Sequence, residues 1–589
     1  MQKSSPVPPE AWALIRTSKV RLYNTGMSMP DVLKGAIAAA AGVSISPNDV
    51  PLEHPAELKN GDYSTSVALK YTKESGMPPR ALAEKVVAAL GTIEGISKIE
   101  VAGAGFINFY LAPSALAEAV EEARTEDMPA LRSLGVGGWG KGTLNAGKKI
   151  MVEYTDPNPF KEFHIGHLMS NAIGESIARL LQFSGAEVKR ANYQGDVGPH
   201  VAKAIWGIEK LGLDPNDSAA LGKAYTAGSE AYENDVAAKQ EIDALNAKVY
   251  DRSDAHVNEV YATGRKASLA HFEELYKILG TKFDHYFFES ETAPRGVALV
   301  QAHRQVFVQS DGAVVYRGED DGLHTRVFLT SKGLPTYETK ELGLAELKAG
   351  TWDFDTSITI TAHEQSDYFE VVLAAMKKVL PALAAKITHI SHGMMRFADR
   401  KMSSRTGNVI TGESLLLDLT DAARERAKES RADDVDALAQ AVAVAAVKYQ
   451  ILKQASGKDI IFDRERALSL EGDSGPYLQY AHARAQQIVE KAKEQSVTPK
   501  VDANATPDNL TRLLHRFPEI VEYATSLREP HLLTNYLLEF AALFNSWYAQ
   551  VHVLDGTSEA AHKVALVDAV RRTLKNGLWI LGIPAPEKM

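Results

Sequence analysis

Hydrophobic spacing along the chain changes period several times. An alanine-rich run from Asp31 to Gly42 has helical spacing, and Gly61-Asp62-Tyr63-Ser64-Thr65 leads into a second helical stretch. Ile99 to Val101 and Gly105 to Leu111 then alternate, as half-buried strands do. Gly135 to Gly147 is dense in glycine and reads as a linker. Ile150 to Tyr154 predicts a short strand, Asp156 to Glu162 a proline-containing loop, and His164 to about Phe183 a helix with Leu168, Ile173, Ile177 and Leu180 on one face. A second strand follows at Glu187 to Tyr193. The strand–helix–strand unit has the size of a parallel βαβ crossover.

Val327 to Thr330, Ser357 to Thr361 and Ile387 to Ser391 read as later strands alternating with helices, which predicts a doubly wound, Rossmann-type parallel sheet. Ala202 to Leu279 is helical and reads as an insertion between the second and third strands. From Leu415 onward almost every segment has helical period and no convincing strand. In the last one Val564, Val567, Val570, Leu574, Leu578 and Leu581 line one face before Gly582 and Pro584 stop it. The expected architecture is therefore multidomain α/β. It comprises an extension (1–24), an α+β domain (25–112), a linker (113–148), a Rossmann-type core (149–414) with its helical insertion at about 202–279, and an all-α helical bundle (415–589).

Composition narrows the chemistry. The 589 residues are too many for one ordinary domain, and 45% apolar with 24% charged residues is globular composition. With no cysteine, disulfides, thiolate zinc sites, iron–sulfur clusters and a cysteine nucleophile are excluded. A net charge of −10 argues against generic polyanion binding, so a nucleic-acid partner would need local basic surfaces. Met1 to Asn24 has no signal-peptide core and no run is read as long enough to span a bilayer, so a soluble, cytoplasmic chain is expected.

Two segments carry candidate chemistry. Asp156-Pro157-Asn158-Pro159-Phe160-Lys161-Glu162-Phe163-His164-Ile165-Gly166-His167 lies past a strand end and at a helix N-terminus, where free N–H groups and the dipole favour phosphate. His164 and His167 share one face of the first turn, and Gly166 lets a flat ring or phosphate approach the main chain. Capping or surface histidines are the plainer alternative. Arg400-Lys401-Met402-Ser403-Ser404-Arg405-Thr406-Gly407-Asn408 is a basic, hydroxyl-rich loop in which Lys401 offers a point charge and Ser403 and Ser404 offer donors; the alternative is a solvated loop.

Together these segments resemble the HIGH and Lys-Met-Ser-Lys-Ser signatures of class I aminoacyl-tRNA synthetases, with Arg405 after the two serines. Within that class the resemblance is closest to the arginyl-tRNA synthetase family. Gly61-Asp62-Tyr63 and Gly105 to Leu111 are similar to its additional N-terminal domain, which touches the tRNA elbow. Gly195-Asp196-Val197-Gly198 resembles its Gly-Asp-Trp-Gly segment, with valine for tryptophan, and Tyr337-Glu338-Thr339-Lys340-Glu341 its Tyr-x-Thr-Arg-Asp segment. Gly475 to Arg484 and Ala585 to Met589 resemble its anticodon-binding domain.

The resemblance implies activation of L-arginine by ATP, with accompanying Mg2+ but no dedicated metal site, and transfer to the terminal adenosine 2′-hydroxyl of tRNA(Arg). It also implies that bound tRNA is needed for activation, and a monomer with no membrane partner. His164, Gly166, His167, Lys401, Ser403 and Ser404 are implied at ATP, with Lys161 assisting catalysis. Asn158 is implied at the substrate's amino-acid end, Tyr337 at its side chain and Glu341 facing the guanidinium. A planar, permanently charged fork calls for carboxylates and neutral acceptors, which adds Glu153 and Gln365 as candidates. Tyr480, Arg484, Trp547, Tyr548 and Trp579 are candidates for unpaired bases and phosphate, with core packing expected for at least half of the aromatics. Another class I synthetase, a HIGH-type adenylyltransferase and a non-catalytic tRNA-binding paralogue are the competing readings.

Overall fold

The computed structural model describes residues 28–125, 137–398, 410–428, 430 and 432–589. The extension 1–24 and the loop carrying Lys401, Ser403 and Ser404 lie outside these residues. The described residues form two compact units, one within 1–139, 488–519 and 543–573, the other within 140–487, 520–542 and 574–589.

In the first unit helix Met29–Ala40 starts on a Ser28 cap and buries Leu33 and Ile37. Three strands, β1 (Tyr63–Thr65), β2 (Ile96–Ala102) and β3 (Phe106–Leu111), form an antiparallel sheet in the order β1-β3-β2. Ile107 and Phe109 of β3 meet Leu33, Ile37, Leu82 and Val86 in one core. The same unit includes helices Pro113–Thr125 and Asn509–His515, which pack together.

The second unit is built on a parallel sheet. Its strands are β4 (Lys149–Glu153), β5 (Glu187–Gln194) and β6 (His285–Phe288). A separate antiparallel meander follows, β7 (Phe307–Ser310), β8 (Ala313–Tyr316) and β9 (Arg326–Leu329), before β10 (Thr356–Ala362) and β11 (Ile387–His392) return to the parallel sheet. The sheet order is β11-β10-β4-β5-β6, all parallel among the described residues. Strand order therefore reverses between β4 and β10, and in open α/β sheets the crevice at the strands' C-terminal ends there is where ligands sit. Ile150, Met151 and Val152 are all buried, as expected of a strand covered on both faces.

Three expectations need correction. Val327 to Thr330 was read as a strand of the parallel sheet, but β9 pairs antiparallel with β8 in the meander. The third parallel strand is instead β6, four residues between two helices and too short to show a period. The region after Leu415 does contain a strand: β12 (Met395–Phe397) pairs with β13 (Ile460–Phe462). The helical insertion stands, as helices Pro199–Leu211, Ser218–Asn234, Val236–Asp251 and Ala255–Ile278. Helix Val435–Leu452 is long and apolar enough to cross a membrane, contrary to the sequence reading, but most of it is buried in the fold.

Candidate active site

The chain leaves β4 under constraint. Thr155 and Asp156 are consecutive non-glycine residues with φ of +80° and +47°, and Phe160 has φ +67°. Such backbone costs energy and persists only where neighbours enforce it. Here Thr155 N–H donates to Ser170 Oγ at 2.9 Å, Tyr193 N–H to Asp156 Oδ1 at 2.7 Å, Gly195 N–H to Asn158 Oδ1 at 2.9 Å and Phe160 N–H to Ser268 Oγ at 2.9 Å. The Asn158 bond fixes its amide: with Oδ1 taken, Nδ2 remains as a donor.

The loop ends on helix Ile165–Phe183. His164 is its N-cap, and the two histidines form a reciprocal capping box. His167 N–H donates to His164 Nδ1 at 3.3 Å, and His164 N–H to His167 Nδ1 at 3.1 Å. The rings stack with centroids 3.4 Å apart. The capping determines the tautomer: each Nδ1 accepts, so each neutral ring carries its proton on Nε2. Burial, then the Lys161 charge, pushes His164 down to about 4, and burial, His164 and Lys161 push His167 well below its ordinary value. The result is a pair of neutral imidazoles, each with one N–H left to offer. A Cβ on Gly166 would lie 3.0 Å from His164 Cε1, so only glycine leaves the ring its place. Lys161 Nζ lies 4.9 Å from the centre of the Tyr225 ring.

The described chain resumes after the Lys401 loop beside the same turn. Thr411 bridges to His164, and Gly412 N–H donates to Phe163 O at 2.8 Å. The residues that follow the second signature in the chain thus touch the turn of the first.

Carboxyls concentrate around the end of β4, where Glu153, Asp156 and Glu341 feel one another's charge. Glu153, at the end of β4, is 1% exposed and pairs with Lys348 Nζ at 2.5 Å. Glu289 pairs with Lys340 Nζ at 2.5 Å. Asp156 and Glu341 meet no lysine or arginine at ion-pair distance among the described residues. Burial, then the Glu153 charge, raises Asp156 well above its ordinary value, and the same causes push Glu341 up to about 8. Lys348 offsets this only in part and from beyond ion-pair distance, so burial and the neighbouring acid dominate at both carboxyls. Tyr337 is 59% exposed at the start of helix Tyr337–Thr351, one turn before Glu341 and so on the same helix side. Gln365 is exposed on the turn after β10.

Comparison with known proteins agrees with this geometry. The family model "tRNA synthetases class I (R), catalytic domain" matches residues 136–464, "DALR anticodon binding domain" matches 478–589, and "Arginyl tRNA synthetase N terminal domain" matches 28–111. The chain belongs to the class I arginyl-tRNA synthetase family. An arginine–tRNA ligase of Oenococcus oeni is 31% identical over 77% of this chain and 82% of its own length, and one of Clostridium perfringens is 29% identical over 91% and 96%. The Thermus thermophilus arginyl-tRNA synthetase structure superimposes with a TM-score of 0.77 at 28% identity, covering 95% of this chain and all of that one.

Within this family member Val197, where the sequence departs from the family tryptophan, is 2% exposed in a core with Phe160 and Tyr261. Its neighbour Asp196 is structural: it takes Arg265 Nε at 2.9 Å, Ser290 Oγ at 2.8 Å and Tyr261 Oη at 3.1 Å. In the helical region Arg484 Nη2 donates to Tyr480 Oη at 3.1 Å and lies over its ring. Tyr548 is 38% exposed and Trp547 half-buried, both beside Phe544. Trp579 is spent on the fold, with the Arg179 guanidinium 5.1 Å from its ring centre and Phe183 at 6.0 Å. Sequence reading missed Asp156 as part of the acid slot, although it begins the first signature. The Lys348 and Lys340 partners gave no local signal, since nothing in the sequence aligns them with Glu153 and Glu289.

Proposed function

We propose that the chain activates L-arginine with MgATP and transfers the arginyl group to the terminal adenosine 2′-hydroxyl of tRNA(Arg), with the residues above in the following roles. The observation that carries the reading is the pair of buried acids, Asp156 and Glu341, both raised by burial and by Glu153 at the end of β4. A guanidinium entering there pairs with the Glu341 carboxylate, with Tyr337 one turn away on the same helix. Glu153 already holds Lys348, so it sets the local field while Glu341 takes the fork. Asn158 Nδ2 then faces the amino-acid end.

In the first step a carboxylate oxygen of arginine attacks the α-phosphorus. The bond to the β-phosphate's bridging oxygen breaks, and pyrophosphate leaves with the electron pair. Negative charge builds on the leaving group, and the protein's task is positioning and stabilisation. The Nε2–H groups of His164 and His167 donate to phosphate oxygens without adding charge, and Lys161 and Lys401 supply charge, with Ser403 and Ser404 as further donors. In the second step the 2′-oxygen attacks the acyl carbon, AMP leaves, and the hydroxyl proton passes to the departing phosphate or solvent. Tyr480, Arg484, Trp547 and Tyr548 contact the tRNA, and the protein works as a monomer.

ATP–pyrophosphate exchange with each amino acid, with and without tRNA, tests this. Exchange confined to arginine and dependent on tRNA(Arg) is expected; exchange with another amino acid, or none with tRNA(Arg) present, overturns it.

A further inference from the structure

The Gly61-Asp62-Tyr63 turn bonds both to its own sheet and to the helical segment 509–519. Gly61 has φ +99°, and a Cβ there would stand 2.7 Å from Phe109 O, so the turn closes onto β3 only as glycine. Asp62, 2% exposed, receives Leu111 N–H at Oδ2 (2.8 Å), and the same oxygen receives Arg512 Nη1 from helix Asn509–His515. Tyr63, 1% exposed, donates its hydroxyl to Glu519 Oε1. His54 lies between them, with Nδ1 2.7 Å from Asp62 O and Nε2 3.0 Å from Glu519 Oε2. Arg516 adds a further positive charge near Tyr63, while burial holds His515 below its ordinary value. Trp139 Nε1–H donates to Thr573 Oγ1 at 3.0 Å and its ring stacks on Phe517, a second attachment within the same unit.

An apolar patch of the same size would hold two bodies together over a range of orientations. A buried set of directional, charge-assisted bonds holds them in one, because a small rotation leaves several charges unpaired. We propose that Asp62, Tyr63 and His54, with Arg512 and Glu519, form a docking latch that fixes the N-terminal domain on the helical segment 509–519, and that these are positioning residues for tRNA binding. The inference rests on the proposed function in one respect: the RNA touches both bodies. With the bodies locked, the second contact forms at the high effective concentration set by the first; with the latch loosened, part of that advantage is lost without any RNA-contacting side chain being changed.

The test is aminoacylation kinetics on full-length protein with Asp62→Asn, Arg512→Met, the double variant and Tyr63→Phe. Asp62→Asn and Arg512→Met are each expected to raise KM for tRNA by about tenfold, with kcat at saturating tRNA within about twofold of the parent. The double variant should be no worse than either single one, because the two groups make one contact. An unchanged KM, an equal fall in kcat, or independent effects that add in the double variant would overturn the latch. Should Asp62→Asn fail to fold, Tyr63→Phe decides: it removes one hydroxyl, and a KM raised at constant kcat supports the latch while parental kinetics refutes it. A parent protein that charges no tRNA with arginine defeats the functional reading, and the latch with it; a parent that charges normally beside variants of unchanged KM defeats the latch alone.

Discussion

Glu341 gives the sharpest test of the acid slot. In the free protein its carboxyl is pushed up to about 8, by burial first and then by Glu153. Arginine's guanidinium is charged throughout the accessible range, and in the proposed role it binds the carboxylate form of Glu341. The apparent affinity is the intrinsic one reduced by the fraction of Glu341 ionised, about 3% at pH 6.5 and about half at pH 8. KM for arginine should therefore fall about sixteenfold over that interval. Arginine binding at pH 6.5 should release close to one proton, measurable by calorimetry in buffers of different ionisation enthalpy. Glu341→Gln cannot titrate and loses a charge-assisted bond of about 1.5–3 kcal/mol, so KM should rise about ten- to 150-fold and become flat with pH. Stability should respond oppositely. A carboxyl raised above its unfolded value binds more protons folded than unfolded, so its contribution is lost as pH rises from the unfolded value through the folded one. Unliganded Glu341→Gln should thus gain thermal stability over the parent as pH goes from 5 to 8. A parental KM independent of pH, or a glutamine variant that keeps the parental slope, would refute the assignment.

Other substitutions probe separate parts of the argument. His167→Ala and Lys401→Ala should each slow arginine-dependent exchange about a hundredfold, on the order of 3 kcal/mol, with arginine affinity by calorimetry nearly unchanged. Gly166→Ala, which puts a Cβ 3.0 Å from the His164 ring, should slow activation and leave KM for arginine close to parental in the same assay. Lys448 is fully buried, donates to Leu279 O at 2.7 Å and Gly582 O at 2.9 Å, and is pushed down to about 7 by burial and then Arg179. Its unfolded form binds the extra proton above that pH, so the parent should gain stability as pH rises from 7 towards 10. In Lys448→Met that slope in melting temperature should be smaller.

What the sequence disclosed depended on whether the signal was local. The helix at Ile165–Phe183 was readable because Leu168, Ile173, Ile177 and Leu180 repeat at its own period and all are buried. Strand β6 was not, because His285–Phe288 is shorter than any window that shows alternation. Val327 was misplaced for a related reason: β-branched alternation marks a strand, but not whether its partner is parallel or antiparallel. Pairing is a property of two distant segments, and one segment read alone does not contain it.

The site divides along the same line. The histidine turn was legible because its reciprocal capping, its tautomer and its donors all follow from residues three apart. The acid slot was legible only as a set of candidates. Glu153 and Glu341 are both acids near a strand end and a helix start, and what separates them is a lysine on the far part of a helix. Lys348 lies two turns beyond Glu341 on that helix, yet it pairs directly with Glu153 and reaches Glu341 only through its field. In the proposed reading that difference makes one carboxylate scaffold and the other a receptor for charge. A lysine at 348 that could not reach Glu153 would leave two competing acids in the slot, and Lys348→Met should accordingly weaken the pH dependence of arginine binding by spreading the titration over both.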